Sequence, residues 1–156
     1  MFGPGTMDNV DGHWMRLALE EAEKAFEADE VPVGACIVKD DRLIGKGHNL
    51  IEELKDPTAH AEIIAIGAAA ATLSSRYLND SVLYVTLEPC LMCCGAIIQA
   101  RISRLVFSAR DPKAGAVVSL YNVLSDTRLN HRVPFSEGLC AEEAAGLLSG
   151  FFKKKR

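Results

Sequence analysis

Apolar positions recur along this chain at two spacings, and the spacings alternate. From His13 to Ala28, Trp14, Leu17, Ala18, Glu21 and Ala25 fall three or four residues apart with acids on the other faces, which predicts an amphipathic helix. Val33–Val38 and Arg42–His48 read as strands, and Asp40-Asp41 between them as a tight turn, so the pair predicts a β-hairpin. Asp56-Pro57-Thr58 is a helix-start signal, and the alanine-rich run Ala59–Leu73 follows as a helix. Ser81–Leu87 is apolar and β-branched enough for a buried strand. Pro89 ends it, Cys90–Arg101 has helical composition, and Arg104–Ala109 reads as another strand. Arg110–Gly115 is a loop, residues 116–138 follow no single period, and Ala141–Phe152 is a final helix. A strand–helix–strand order with short connections implies parallel strands and a right-handed crossover. The expected architecture is α/β: a three-layer α/β/α domain with a mixed sheet.

Composition narrows the class. The chain has 156 residues, 49% of them hydrophobic and 24% charged, which fits one globular domain with a core of its own. No internal repeat or linker divides it, so residues 13–156 form the expected single domain and residues 1–12 a flexible leader. The uninterrupted apolar runs fall well short of the roughly 18 residues of a membrane span, and the N-terminus lacks the pattern of a signal peptide. A cytoplasmic protein without membrane association is expected. The net charge of −4 argues against a nucleic-acid partner until its distribution is considered. Residues 1–100 hold 7 Lys and Arg against 16 Asp and Glu, whereas residues 101–156 hold 10 against 5 and end in Lys153-Lys154-Lys155-Arg156. A basic surface for phosphate is therefore available locally.

Five cysteines, an odd number, do not suggest a disulfide framework, but three of them fall within Cys90–Cys94. Two short motifs, His60-Ala61-Glu62 and Pro89-Cys90-Leu91-Met92-Cys93, open the two inner helices. Cysteines at i and i+3 face one side of a helix, and a helix N-terminus favours thiolates. Two thiolates and one imidazole suit zinc, and three protein ligands leave a fourth position for water, as in catalytic sites. Glu62 need not bind the metal. Beside the open position it serves as a general base and acid. Taken singly, the CxxC also reads as a redox pair, His60 as a cap and Glu62 as a solvated helix acid. Their joint placement at matching helix entrances favours a catalytic zinc.

H-x-E followed by P-C-x-x-C is the signature of the zinc nucleobase and nucleoside deaminases. The flanking stretches Glu30–Ala35, Asp56–Glu62, Leu83–Cys90, Asn130–Val133 and Leu147–Phe152 resemble the bacterial tRNA adenosine deaminases, over about Trp14 to Lys155. That resemblance implies a cytidine-deaminase-like fold, one zinc ion per subunit, a homodimer, and conversion of the wobble adenosine of an arginine tRNA anticodon loop to inosine. It implies His60, Cys90 and Cys93 as zinc ligands and Glu62 as the proton shuttle. Asn49 would hydrogen-bond the flipped base, and Asp111 and Lys113 in the 110–115 loop, with Phe152 and Lys154 on the last helix, would contact RNA. The chain differs from those relatives at His48, Ile51 and Cys94, where they carry Trp, often Pro, and a small residue. Two other readings remain: a deaminase of free guanine, cytosine or a nucleoside on the same fold, and an RNA-binding module whose zinc is structural or whose CxxC is redox-active.

Overall fold

The computed structural model describes the backbone of residues 3–155 and the side chains of residues 9–155. Helix α1 spans Gly3–Glu27. Strands β1 (Gly34–Lys39) and β2 (Arg42–His48) form the hairpin, and a short helix α2 (Ile51–Leu54) leads to α3 (Ala61–Leu73). Strand β3 (Ser81–Leu87), helix α4 (Leu91–Gln99) and strand β4 (Arg104–Ala109) follow. The chain ends with β5 (Phe135–Glu137) and helix α5 (Ala141–Lys154). The five strands lie in the order β2-β1-β3-β4-β5. β1 is antiparallel to both neighbours, whereas β3, β4 and β5 run parallel, so the sheet is mixed as the strand–helix–strand order implies.

Period-two alternation divides the core between the two faces of the sheet. Ala35, Ile37, Leu83, Val85, Leu105 and Phe107 face one side, where Ala61, Ala65 and Ala69 of α3 and Cys94 and Ile97 of α4 cover them. Cys36, Val38, Tyr84 and Val106 face the other, under Trp14, Met15 and Ala18 of α1. Helix α5 also packs on β4 and against α1, completing the third layer. The small residues of α1 let β1 approach closely. A Cβ added at Gly34 would overlap the carbonyl oxygen of Ala18 and the backbone nitrogen of Ala22. Gly34→Ala is therefore expected to cost about 3 kcal/mol, read as a lower urea midpoint with unchanged m.

The N-terminal helix begins earlier than the apolar spacing predicts. Asp11 is buried, and its carboxylate accepts hydrogen bonds from the Tyr84 hydroxyl (2.7 Å) and from both terminal nitrogens of Arg104 (3.1 and 2.7 Å). Helix α1 takes in residues 3–12, where the sequence suggests a leader, while Met1 and Phe2 lie outside the described residues. Apolar periodicity cannot register an acid whose partners come from β3 and β4. Burial alone would raise the Asp11 carboxyl, but the bonds from Arg104 and Tyr84 outweigh it and hold the group below the usual range. A carboxyl lowered on folding contributes stability in full above its unfolded pKa of about 3.9, and that contribution is lost as pH falls through the folded value. Asp11→Asn is expected to lower unfolding free energy by about 2 kcal/mol at pH 7. Urea titrations should show the gap to wild type narrowing below about pH 5.

The stretch 116–138 resolves into a 3-10 turn, Val123–Ser125, and the three-residue edge strand β5. Both are too short for a period to register. The order of layers brings the end of β3 beside the start of α3. Parallel α/β sheets present their ligand sites at such carboxyl ends of strands.

Candidate metal and active site

His60 and Cys90 hold the same position in two neighbouring helices. Each is the residue before the first helical one, with extended backbone (φ −74°, ψ 154° and φ −79°, ψ 178°), and neither side chain caps its own helix. The imidazole and the thiol are therefore free to meet across the gap. His60 Nδ1 lies 3.7 Å from Cys90 Sγ and 3.6 Å from Cys93 Sγ, and the three donor atoms all lie within 4.8 Å of one another. Bonds of about 2.3 Å to sulfur and about 2.1 Å to nitrogen, at tetrahedral angles, place sulfur and nitrogen about 3.6 Å apart. The observed separations match that edge, so the residues fit a zinc-sized ion without rearrangement.

The Cys93 thiol beside Cys90, with His60 adding to it against the cost of burial, holds Cys90 down at about 4, and the same contact pushes Cys93 up. His60 is raised by its contact with Cys90, which burial only partly opposes. Glu62 lies one helical residue beyond Ala61 and is buried, yet it is not one of the three donors. Burial pushes its carboxyl up to about 7, against smaller opposing effects from a backbone hydrogen bond and from His60. Such a group can both accept and return a proton near neutral pH.

Asn49 follows β2 and is buried. Its Oδ1 accepts the Ala61 N–H (2.8 Å), which fixes the amide plane, and its amide nitrogen donates to no group among the described residues. That leaves a free donor on a fixed amide. Asp111 is half-buried. Its Oδ1 accepts the N–H groups of Lys113 (3.1 Å) and Ala114 (3.2 Å), so the carboxylate shapes the loop. Lys113 is exposed and makes no ion pair among the described residues. The loop adjoins the donor group through a bridge between Cys90 and Gly115.

Helix α5 divides its two phenylalanines. Phe151 is buried edge-on to Phe26, whereas Phe152 is 49% exposed. Lys154 turns back over the Phe26 ring (4.8 Å) and lies 3.9 Å from Asp29, and Lys155 bonds the same Asp29 at 2.6 Å. The end of α5 is thus mounted on the end of α1. Of the three departures from the relatives, Cys94 is core, and His48 turns to Glu21 on the α1 side (3.0 Å). Ile51 lines a cavity of about 630 Å³ with Glu30 and Phe151.

Sequence reasoning passed over two buried acids. Glu30 accepts the N–H groups of Glu52 (3.0 Å) and Glu53 (2.8 Å) and so holds α2. Glu88 collects the backbone of the 111–119 loop. The available signal was position: each acid closes or adjoins an apolar run instead of alternating with it.

The chain matches the MafB19-like deaminase family over residues 9–156. It is 54% identical over 144 residues to the tRNA-specific adenosine deaminase of Aquifex aeolicus, covering 92% of this chain and 95% of that one. To the protein of the same name from Haemophilus influenzae it is 50% identical over 147 residues, covering 94% and 85%. A structure solved in studies of A-to-I editing by tRNA:A34 deaminases at the wobble position of transfer RNA superposes with a TM-score of 0.84 at 48% identity, covering 87% of this chain and 99% of that one. The guanine deaminase of Nitrosomonas europaea superposes at 0.78 with 27% identity, covering 90% and 83%. The resemblance carried by the two short motifs thus extends over nearly the whole chain, which belongs to the tRNA-specific adenosine deaminases, hydrolytic enzymes built on the cytidine-deaminase-like fold.

Proposed function

We propose that this chain removes the exocyclic amine of the wobble adenosine in the anticodon loop of an arginine tRNA, leaving inosine and releasing ammonia. The observation that carries this reading is the Glu62 carboxyl, buried beside three metal donors and not one of them. A structural or redox site has no use for such a group. His60, Cys90 and Cys93 would hold one zinc ion per subunit, which supplies a Lewis acid that makes water a nucleophile at neutral pH. Glu62 would take one proton from the attacking water and deliver it to N1 of the purine, then take the second from the new C6 hydroxyl and pass it to the departing amine. Asn49 donates from its free amide to the ring and keeps C6 at the point of attack. A wobble base in a single-stranded loop leaves its stack at little cost.

The fold is shared with guanine deaminases, so the fold alone does not choose the base. The half-exposed Phe152 and the adjoining lysines favour RNA, because bases stack on aromatic rings and phosphates attract lysine. Phe152→Ala is expected to raise KM for an anticodon stem-loop about tenfold, with an unchanged melting temperature. Steady-state deamination and calorimetry check both halves of that result. Lys154 would exchange Asp29 for phosphate, and Asp111 and Lys113 would meet the backbone from the other side. The exposed Leu91 and Met92 at the start of α4 supply an apolar face for a homodimer. We place the enzyme in the cytoplasm. Among the described residues no helix is long and apolar enough to cross a membrane.

A further inference from the structure

Glu88 is a buried carboxylate with no part in the proton transfers. It ends the apolar run of β3, one residue before Pro89 and two before Cys90. Its Oε1 accepts the Asp111 N–H (3.0 Å) and the Ser119 hydroxyl (2.5 Å). Its Oε2 accepts the N–H groups of Val117 (3.0 Å), Val118 (2.9 Å) and Ser119 (3.0 Å). Five donors thus converge on one buried carboxylate. The loop is wrapped on one anion, much as a backbone nest wraps a phosphate.

Two further features tie the loop to the metal-donor turn. A Cβ added at Gly115 would overlap the Glu88 carboxylate, so the loop passes as close as a glycine allows. Ala116 N–H donates to the Pro89 carbonyl (2.9 Å), and Gly115 bridges to Cys90. One end of this strut is thus the turn that delivers Cys90. The other is the N–H of Asp111, where the segment carrying Lys113 begins.

We propose that Glu88 is a positioning residue that locks the 111–119 loop onto the Pro89–Cys90 turn, so that Asp111 and Lys113 meet the RNA at a fixed distance from the metal-donor group. This rests on the loop being an RNA contact, as in the function proposed for the chain. A carboxylate is required because both oxygens accept. In Glu88→Gln the amide oxygen can keep the three N–H groups of 117–119, and the Ser119 hydroxyl can rotate to accept from the new NH2. The Asp111 N–H then faces a donor and loses its acceptor. The substitution releases the Asp111 end of the loop selectively.

The test compares Glu88→Gln with wild type in the zinc-loaded full chain. KM for an arginine tRNA anticodon stem-loop is expected to rise about tenfold, kcat to change by less than about threefold, and zinc content to stay the same. Amide exchange should quicken at residues 111–114 and stay unchanged in α4. Ser119→Ala removes one donor and leaves the charge. It should shift KM in the same direction by less, and it decides the matter if Glu88→Gln does not fold. A lowered melting temperature with unchanged KM, or a fall in kcat alone, overturns the proposal and leaves Glu88 a folding strut. The two readings fail separately. A wild-type protein that makes no inosine overturns the deaminase reading, whereas unchanged exchange at 111–114 in Glu88→Gln overturns the strut.

Discussion

Glu62→Gln is expected to lower kcat for inosine formation about 10⁴-fold while leaving zinc content unchanged. The amide has nearly the volume of the carboxyl, so no cavity opens in the first turn of α3, and the three metal donors keep their mounts. What is lost is the ability to take a proton at one moment and return it at the next. Burial pushes the wild-type carboxyl up to about 7, which means that its ionised form is held at a cost. A neutral amide avoids that cost, so the metal-free variant should melt at or above the temperature of metal-free wild type. Loss of activity together with retained or raised stability is the combination that a folding defect does not produce. Stopped assays for inosine and metal analysis, with calorimetry of the metal-free proteins, read all three quantities. Activity within tenfold of wild type would remove Glu62 from the chemistry.

Cys93→Ala is expected to weaken zinc binding about 10³-fold and to abolish turnover. A three-donor site shares its binding free energy among few contacts. If the whole is about 12 kcal/mol, one donor carries about 4 kcal/mol, on the order of 10³ in affinity. Cys93 is fully buried in the first turn of α4, and alanine leaves no donor atom there. Cys94 is adjacent but faces the core, and its burial pushes the thiol up to about 12, far from the thiolate a metal needs. Cys94→Ala should therefore keep its zinc and serve as the control. Competition against a zinc-responsive dye measures both variants. Equal affinities in the two would contradict the assignment of donors.

The cluster of His60, Cys90 and Cys93 was legible because its signal is local. His60-Ala61-Glu62 and Pro89-Cys90-Leu91-Met92-Cys93 each span a few residues at a strand-to-helix or loop-to-helix entrance, and the structure places both entrances side by side. The hairpin, α3, β3, α4, β4 and α5 were legible for the same reason, since each carries a period long enough to read. What escaped is set by partners distant in sequence. Asp11 draws α1 toward the N-terminus through Tyr84 and Arg104, which no local pattern announces. β5 is three residues of edge strand paired with β4. Glu88 and Glu30 look like ordinary acids until the backbone they collect is folded around them. The end of α5 reads as a basic tail, yet Lys154 and Lys155 are engaged with Asp29. Their exchange onto RNA sets one exposed carboxylate against a phosphate backbone.

The most direct test of the function is mass spectrometry of an arginine tRNA anticodon stem-loop after incubation with the zinc-loaded protein, with Glu62→Gln as the blank. Inosine at the first anticodon position in the wild-type reaction, and adenosine alone in the blank, is the expected result. Unmodified adenosine in the presence of folded, zinc-loaded wild-type protein that instead deaminates guanine or cytosine would contradict it.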